Sequence, residues 1–485
     1  MVSCDTAVEA VSRRDARPEL GEPGVGAVTA GAGWRPKVTH TGRTASADSP
    51  LRSEFEGLLG ENVCPACSYL AERERSFFSW FANENHTAAN VQAELRASMG
   101  MCAAHSRRLM KEPGPGPIVT MVAREALAGA LSRMRDGTPS GPCPACYAKA
   151  RSLEDTRHLV LDALERERDA SRYREHPGLC LDHLLALEGT DQATAIKVVT
   201  EHLLERLITS AGASALEMLA GVDDDASRRA FWRERLVEPE VMTSTIAQLC
   251  GRLEITACPA CLAGGLAEAR YLDWFLKRSQ AGDPSLRTDP GELCSAHLRD
   301  AALQDPAGAR CAIERKRTVT TGALARLLDQ LARLPQPNGR RRRNEGQVTQ
   351  QIRATVRAVH ECPVCRARDT AELRQLQLLD AALALPSVRS RYESSHGLCV
   401  HHALRLSDGP SAPIVRRVVS GRLGVLAWEV GEIRRKYVWA SRYELAGPEQ
   451  HAWLRTFAQI DGRVFGGTPP PPIRPTGRQS DDWYG

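Results

Sequence analysis

The sequence predicts an all-α fold of four tandem modules with disordered tails at both ends. Three observations carry this expectation. One short cysteine pattern returns four times at near-constant spacing. The segments inside each repeat place apolar residues three and four apart, with charges between them, and no useful period-2 run occurs. Aromatic residues are only 5% of the chain while alanine, leucine and arginine are abundant, which favours helix.

Each repeat opens with CPxC: Cys64/Cys67, Cys143/Cys146, Cys258/Cys261 and Cys362/Cys365. Each closes with CxxH: Cys102/His105, Cys180/His183, Cys294/His297 and Cys399/His402. The second and third cysteines are separated by 34, 33, 32 and 33 residues. Twelve of the fifteen cysteines belong to this scheme, so Cys4, Cys250 and Cys311 read as bystanders. A glycine precedes the third cysteine by two or three positions (Gly100, Gly178, Gly291, Gly397) and suits a turn into the next helix. Thirteen and fourteen residues past the second cysteine lies an apolar pair, Trp80/Phe81, Leu159/Val160, Trp274/Phe275 and Leu378/Leu379, expected on the core face of a helix.

The elements follow in order. Proline at the second position of CPxC suits the first turn of a helix, where its missing N–H costs nothing. "SYLAERERSFFSWFANEN" continues that helix in the first repeat. A second helix starts at CxxH, as in "LDHLLALEG", and a longer packing helix follows, as in "ATAIKVVTEHLLERLITS" and "GALARLLDQLARL". The repeat divides the chain into an extension (1–55), module 1 (56–140), module 2 (141–220), a linker (221–248), module 3 (249–335), a basic linker (336–350), module 4 with C-terminal helices (351–466) and a proline-rich tail (467–485).

Two cysteines with two residues between them reach one metal from a single helical turn, and CxxH supplies the remaining two ligands. Three thiolates and an imidazole suit tetrahedral zinc, and a shell of four protein ligands is a structural rather than a catalytic one. Placement at helix N-termini favours thiolates. A module this small has little core of its own, so a metal contributes much of its folding energy, typically ~10–16 kcal/mol of apparent binding. The nearest arrangement closes each shell within one module; whether modules pair as one-two and three-four stays open. In the fourth repeat His401 and His402 are adjacent, and the register of the other repeats favours His402. His360, His396 and His401 then read as outer or surface residues. Iron–sulfur clusters are the alternative occupants. No CPxC is followed by His, which excludes attached haem.

The repeat, together with the tail "IRRKYVWASRYELAGPEQHAWLRTFAQIDGR", resembles a family of uncharacterised bacterial proteins that carry one or more such modules. The tail residues in question are Arg434, Arg435, Lys436, Tyr437, Tyr443, Glu444 and Trp453. The resemblance implies a helical metal-binding fold and carries no activity. This chain departs from the simpler pattern in its N-terminal extension, its four copies and the shifted Gly291.

Composition narrows the function classes. The net charge of +5 says little about partners, but residues 340–442 hold 19 Lys or Arg against 9 Asp or Glu, a local excess of +10. Arg340 to Arg343 could contact nucleic-acid phosphates, yet no aromatic-basic reader flanks them, so a soluble hinge is the preferred reading. "GVGAVTAGAG" lacks the spacing and the preceding strand of a phosphate loop, and Asp223 to Asp225 read as a solvated turn and helix cap. No run of 18 apolar residues and no secretory signal is present, so the expected compartment is the cytoplasm, without membrane insertion. No catalytic grouping stands out and no small-molecule substrate is indicated. The chain therefore reads as a zinc-built scaffold or adaptor with a protein partner. Electron carriage by iron–sulfur centres is the alternative, and nucleic-acid binding a weaker one.

Overall fold

A computed structural model describes Leu59 and residues 63–111, 116–137, 140–187, 192–221, 246–281, 293–333, 350–352, 354–356, 362–441, 443–445 and 447–465. The expected N-terminal extension and proline-rich tail, Asp223 to Asp225, Gly291, Arg340 to Arg343 and His360 lie outside the described residues. Among the described residues the fold is all-α and contains no strand. No described helix is long and apolar enough to cross a membrane.

In every repeat the described residues include a long helix opening at CPxC, a short one opening at CxxH and a long helix after it. Module 1 holds α1 (Pro65–Trp80), which passes into a short π-helix (Phe81–Asn85), then α2 (Ala89–Ala97), α3 (Ala103–Leu109) and α4 (Gly116–Asp136). Module 2 holds α5 (Pro144–Leu164), α6 (Glu167–Arg174), α7 (Leu181–Leu185), α8 (Ala193–Thr209) and α9 (Gly212–Ala220). Helix α10 (Ile246–Leu253) precedes module 3, which holds α11 (Pro259–Gln280), α12 (Ser295–Gln304) and α13 (Pro306–Ala332). Module 4 holds α14 (Pro363–Ala382), α15 (Pro386–Ser394), α16 (Val400–Leu404), α17 (Ala412–Lys436) and α18 (Ala452–Ile460). A last 3-10 turn, Gly462–Phe465, follows α18.

Sequence dictates where the key helices begin. The first cysteine of every CPxC and of every CxxH is an N-cap residue, eight in all, and the four CPxC prolines occupy the first helical turn. Gly100, Gly178 and Gly397 have φ of +89°, +69° and +74°, so only glycine turns the chain into the CxxH helix without strain. Of each apolar pair, the second member (Phe81, Val160, Phe275, Leu379) is buried. The first is only half-buried or exposed, because residues adjacent on a helix point about 100° apart.

The long helices fix how modules meet. Within pairs, α1 packs on α5 and α11 on α14. Between pairs, α8 packs on α13 and α4 on α17, so the packing closes back from module 4 to module 1. Gly264 faces Glu372 and Glu268 faces Arg368, so α11 and α14 run antiparallel. One apolar core joins the start of module 1 to modules 2 and 3 and the start of module 4, from Leu59 and Tyr173 to Leu298, Leu324 and Val364.

Candidate metal centres

All sixteen motif residues come together in four groups of three sulfurs and one imidazole nitrogen. Their partition differs from the within-module expectation. Quartet A is Cys64, Cys67, Cys180 and His183; quartet B is Cys143, Cys146, Cys102 and His105. Quartet C is Cys258, Cys261, Cys399 and His402; quartet D is Cys362, Cys365, Cys294 and His297. Each module thus gives its CPxC to one quartet and its CxxH to another, exchanged reciprocally between modules 1 and 2 and between modules 3 and 4. The physical reason is helix length. A CPxC helix of 16 to 22 residues carries the chain about 24–33 Å away from its own thiols before the turn to CxxH. The antiparallel neighbour brings a complementary end there instead.

Each quartet lies between two helix N-termini. The N-cap and third helical positions converge on one point, which is why a capping box works, and here both carry metal-ligand atoms. In quartet A, His183 Nδ1 lies 3.4, 3.5 and 3.1 Å from the sulfurs of Cys64, Cys67 and Cys180, and Cys67 Sγ lies 3.8 Å from Cys180 Sγ. In quartet B, His105 Nδ1 is 3.2, 3.5 and 3.3 Å from Cys102, Cys143 and Cys146. The corresponding distances are 3.6, 3.3 and 3.3 Å in quartet C and 3.2, 3.3 and 3.4 Å in quartet D. Burial differs: quartet C is wholly buried, whereas Cys146 of quartet B is exposed.

Charge is concentrated at these points. Burial pulls the histidines down, but the adjoining cysteine sulfurs outweigh it. His105 and His183 are pushed up to about 10, His297 to about 11 and His402 to about 12. The thiols also polarise one another: bonds to Cys180 and Cys64 hold Cys67 well below the usual thiol range, and the reverse bonds push Cys180 up. A set of donors that retains a proton among clustered sulfurs is suited to exchange it for a cation.

The outer nitrogen of three histidines meets a carboxylate that sequence reading missed. His297 Nε2 lies 3.0 Å from Glu268, His402 Nε2 3.3 Å from Glu372, and His105 Nε2 3.8 Å from Glu74. All three glutamates stand ten residues after the first cysteine of their repeat, and that recurrence was available as a signal. Module 2 has Leu153 there, so its CPxC helix offers His183 no equivalent carboxylate. Glu372 is buried yet held below the usual carboxylate range: burial opposes ionisation, but His402 and Arg463, the latter at 2.6 Å, outweigh it. Tyr173 and Tyr392, each seven residues before the third cysteine, accept the backbone N–H of Leu179 and Leu398 at 2.7 and 3.3 Å and brace the turn.

Two glycines press on the sulfurs. A Cβ at Gly462 would lie 2.8 Å from Cys261 Sγ, and one at Gly221, whose φ is +64°, 3.0 Å from Cys67 Sγ. Neighbouring quartets are also tied across module pairs. Ser295, beside Cys294, donates to Asp182, beside His183, at 2.6 Å, and Arg107 donates to the Arg463 carbonyl at 3.1 Å.

The remaining candidates fall outside the quartets. Among the described residues Cys250, Cys311 and His396 join no such group, and His401 is exposed. In the tail, Arg435 pairs with Glu444 at 2.6 Å and Lys436 with Glu449 at 2.6 Å.

Comparison of the chain with family models, with curated proteins and with solved structures gives no match. The resemblance noted above therefore rests on the motifs alone.

Proposed function

We propose that the four quartets hold structural zinc and that the protein is a helical scaffold acting through protein–protein contacts. The observation that carries this reading is the size of the quartets. Bonds of about 2.3 Å to sulfur and 2.0 Å to nitrogen give a tetrahedron with edges of roughly 3.8 Å between sulfurs and 3.5 Å from sulfur to nitrogen. The twelve sulfur–nitrogen edges span 3.1 to 3.6 Å, one sulfur–sulfur edge in each quartet measures 3.6 to 3.8 Å, and all four ligand atoms of each quartet lie within 4.8 Å of one another. An iron–sulfur cluster spreads its ligands over two or four irons and needs them further apart. Four protein ligands leave no open position for a substrate, which supports a structural role over a catalytic one. Reciprocal exchange of ligands makes each metal a clasp between two modules, as a rigid platform requires.

The test is a metal count with a visible spectrum on anaerobically purified protein. About four zinc per chain and no colour is the expected result. Iron with acid-labile sulfide and absorption near ~400 nm would replace this reading with an electron carrier.

A further inference from the structure

The long helix α17 buries one face, through Val415, Val419, Leu423, Leu426, Val430 and Ile433, against α4 and α18. Its opposite face is unusual. Val425 is 58% and Trp428 67% exposed, and Trp428 is the most exposed tryptophan among the described side chains. Around them lie Gly421, Gly424 and Gly431, where an added Cβ would meet nothing within 4 Å. Arg417, Gly421, Gly424, Trp428, Gly431 and Arg435 recur at alternating steps of four and three, the spacing of a helix-packing seam.

We propose that this face is the interface of a homodimer, packing α17 antiparallel against α17 of a second copy of this chain. Self-complementarity carries the argument. A two-fold axis between Gly424 and Val425 makes every contact reciprocal. It sets Trp428 of each copy over Gly421 of the other, so the largest side chain fills the space left by the smallest. It sets Gly431 against Val418, and Arg417 opposite Glu432, so charges match as well as volumes. Arg417 already pairs with Glu393 and Glu432 with Arg435 within one chain, but a guanidinium has five donors and a carboxylate two acceptor oxygens, so both retain capacity for the second copy. The glycines let two backbones approach closely, and a buried tryptophan at the centre is the usual energetic anchor of such a contact. From Arg417 to Arg435 the seam is about 27 Å long, a modest interface, and the proposal is of a weak dimer that forms within about 1–100 µM. The proposal is independent of which metal fills the quartets.

The test is sedimentation of the full-length, metal-loaded chain across that concentration range, for wild type, Trp428→Glu and Gly421→Leu. The expected result is a mass rising from 53.0 kDa to twice that value for wild type, and 53.0 kDa throughout for both variants. Helicity and metal content should be unchanged in the variants, since both positions are exposed. A wild-type chain that stays monomeric to about 100 µM would overturn the proposal, and so would a dimer that persists in both variants.

Discussion

Glu372 lies 3.3 Å from His402 of quartet C, yet it stands on α14, the helix whose own N-terminus supplies Cys362 and Cys365 to quartet D. Glu268 does the converse, from a helix that opens quartet C to the histidine of quartet D. Each antiparallel helix therefore binds one centre with its thiols and orients the histidine of the other with its carboxylate. Carboxylates in this position fix the ring and raise its basicity, and their loss typically costs 10- to 100-fold in metal affinity. Glu372→Gln should lower affinity at quartet C by about that factor, read by competition with a chromophoric chelator. Unchanged competition curves would show that the carboxylate only fills space.

The reciprocal partition alters what one ligand mutation does. Cys102→Ser removes a ligand from quartet B, which also contains Cys143 and Cys146 of module 2. The metal count should fall by about one per chain. Limited proteolysis should then open sites in both module 1 and module 2, while modules 3 and 4 keep their protection. New cleavage confined to module 1 would argue for shells closed within modules.

How much of this was legible in the sequence depends on the range of the interaction. The helix starts were readable because Pro65, Pro144, Pro259 and Pro363 report local backbone preference, and their first turns are helical. The sixteen ligand residues were readable because CPxC and CxxH are local patterns. Which pair meets which was not, because all four copies are equivalent in sequence and only tertiary packing distinguishes Cys64 meeting Cys180 from Cys64 meeting Cys102. Glu74, Glu268 and Glu372 were readable in principle from their recurrence. They look like ordinary solvated charges on a helix, and only burial beside an imidazole reveals them. Gly462 had no signal at all, since its constraint is a sulfur 201 positions away, that of Cys261.

Burial predicts an order of metal loss. Chelators and thiol reagents reach an exposed sulfur first, and Cys146 is exposed while every ligand of quartet C is buried. Under a limiting chelator, pulsed alkylation read by mass spectrometry should label Cys146 and Cys102 earliest among the ligand cysteines. Cys258, Cys261 and Cys399 should be labelled last. Equal labelling rates across the four quartets would mean that release follows global unfolding rather than local access.

Gly462 offers a test of the close cover over quartet C. Its constraint is steric, because a Cβ there would lie 2.8 Å from Cys261 Sγ and 3.3 Å from Cys258 Cβ, both in a buried and tightly packed place. Gly462→Ala must displace either the Asp461–Gly462–Arg463 segment or the sulfur, and overpacking of this kind costs about 1–3 kcal/mol. Displacement of the segment would also loosen Arg463 from Glu372, and with it the hold on His402. The variant should therefore lose stability and lose metal from quartet C before the others. Gly251 is the control, since it lies in α10 with open space around it, and Gly251→Ala should leave stability unchanged or raise it by up to about 1 kcal/mol. Thermal unfolding and the metal count of both variants decide the matter: equal behaviour would mean that the segment yields without cost and does not hold the centre.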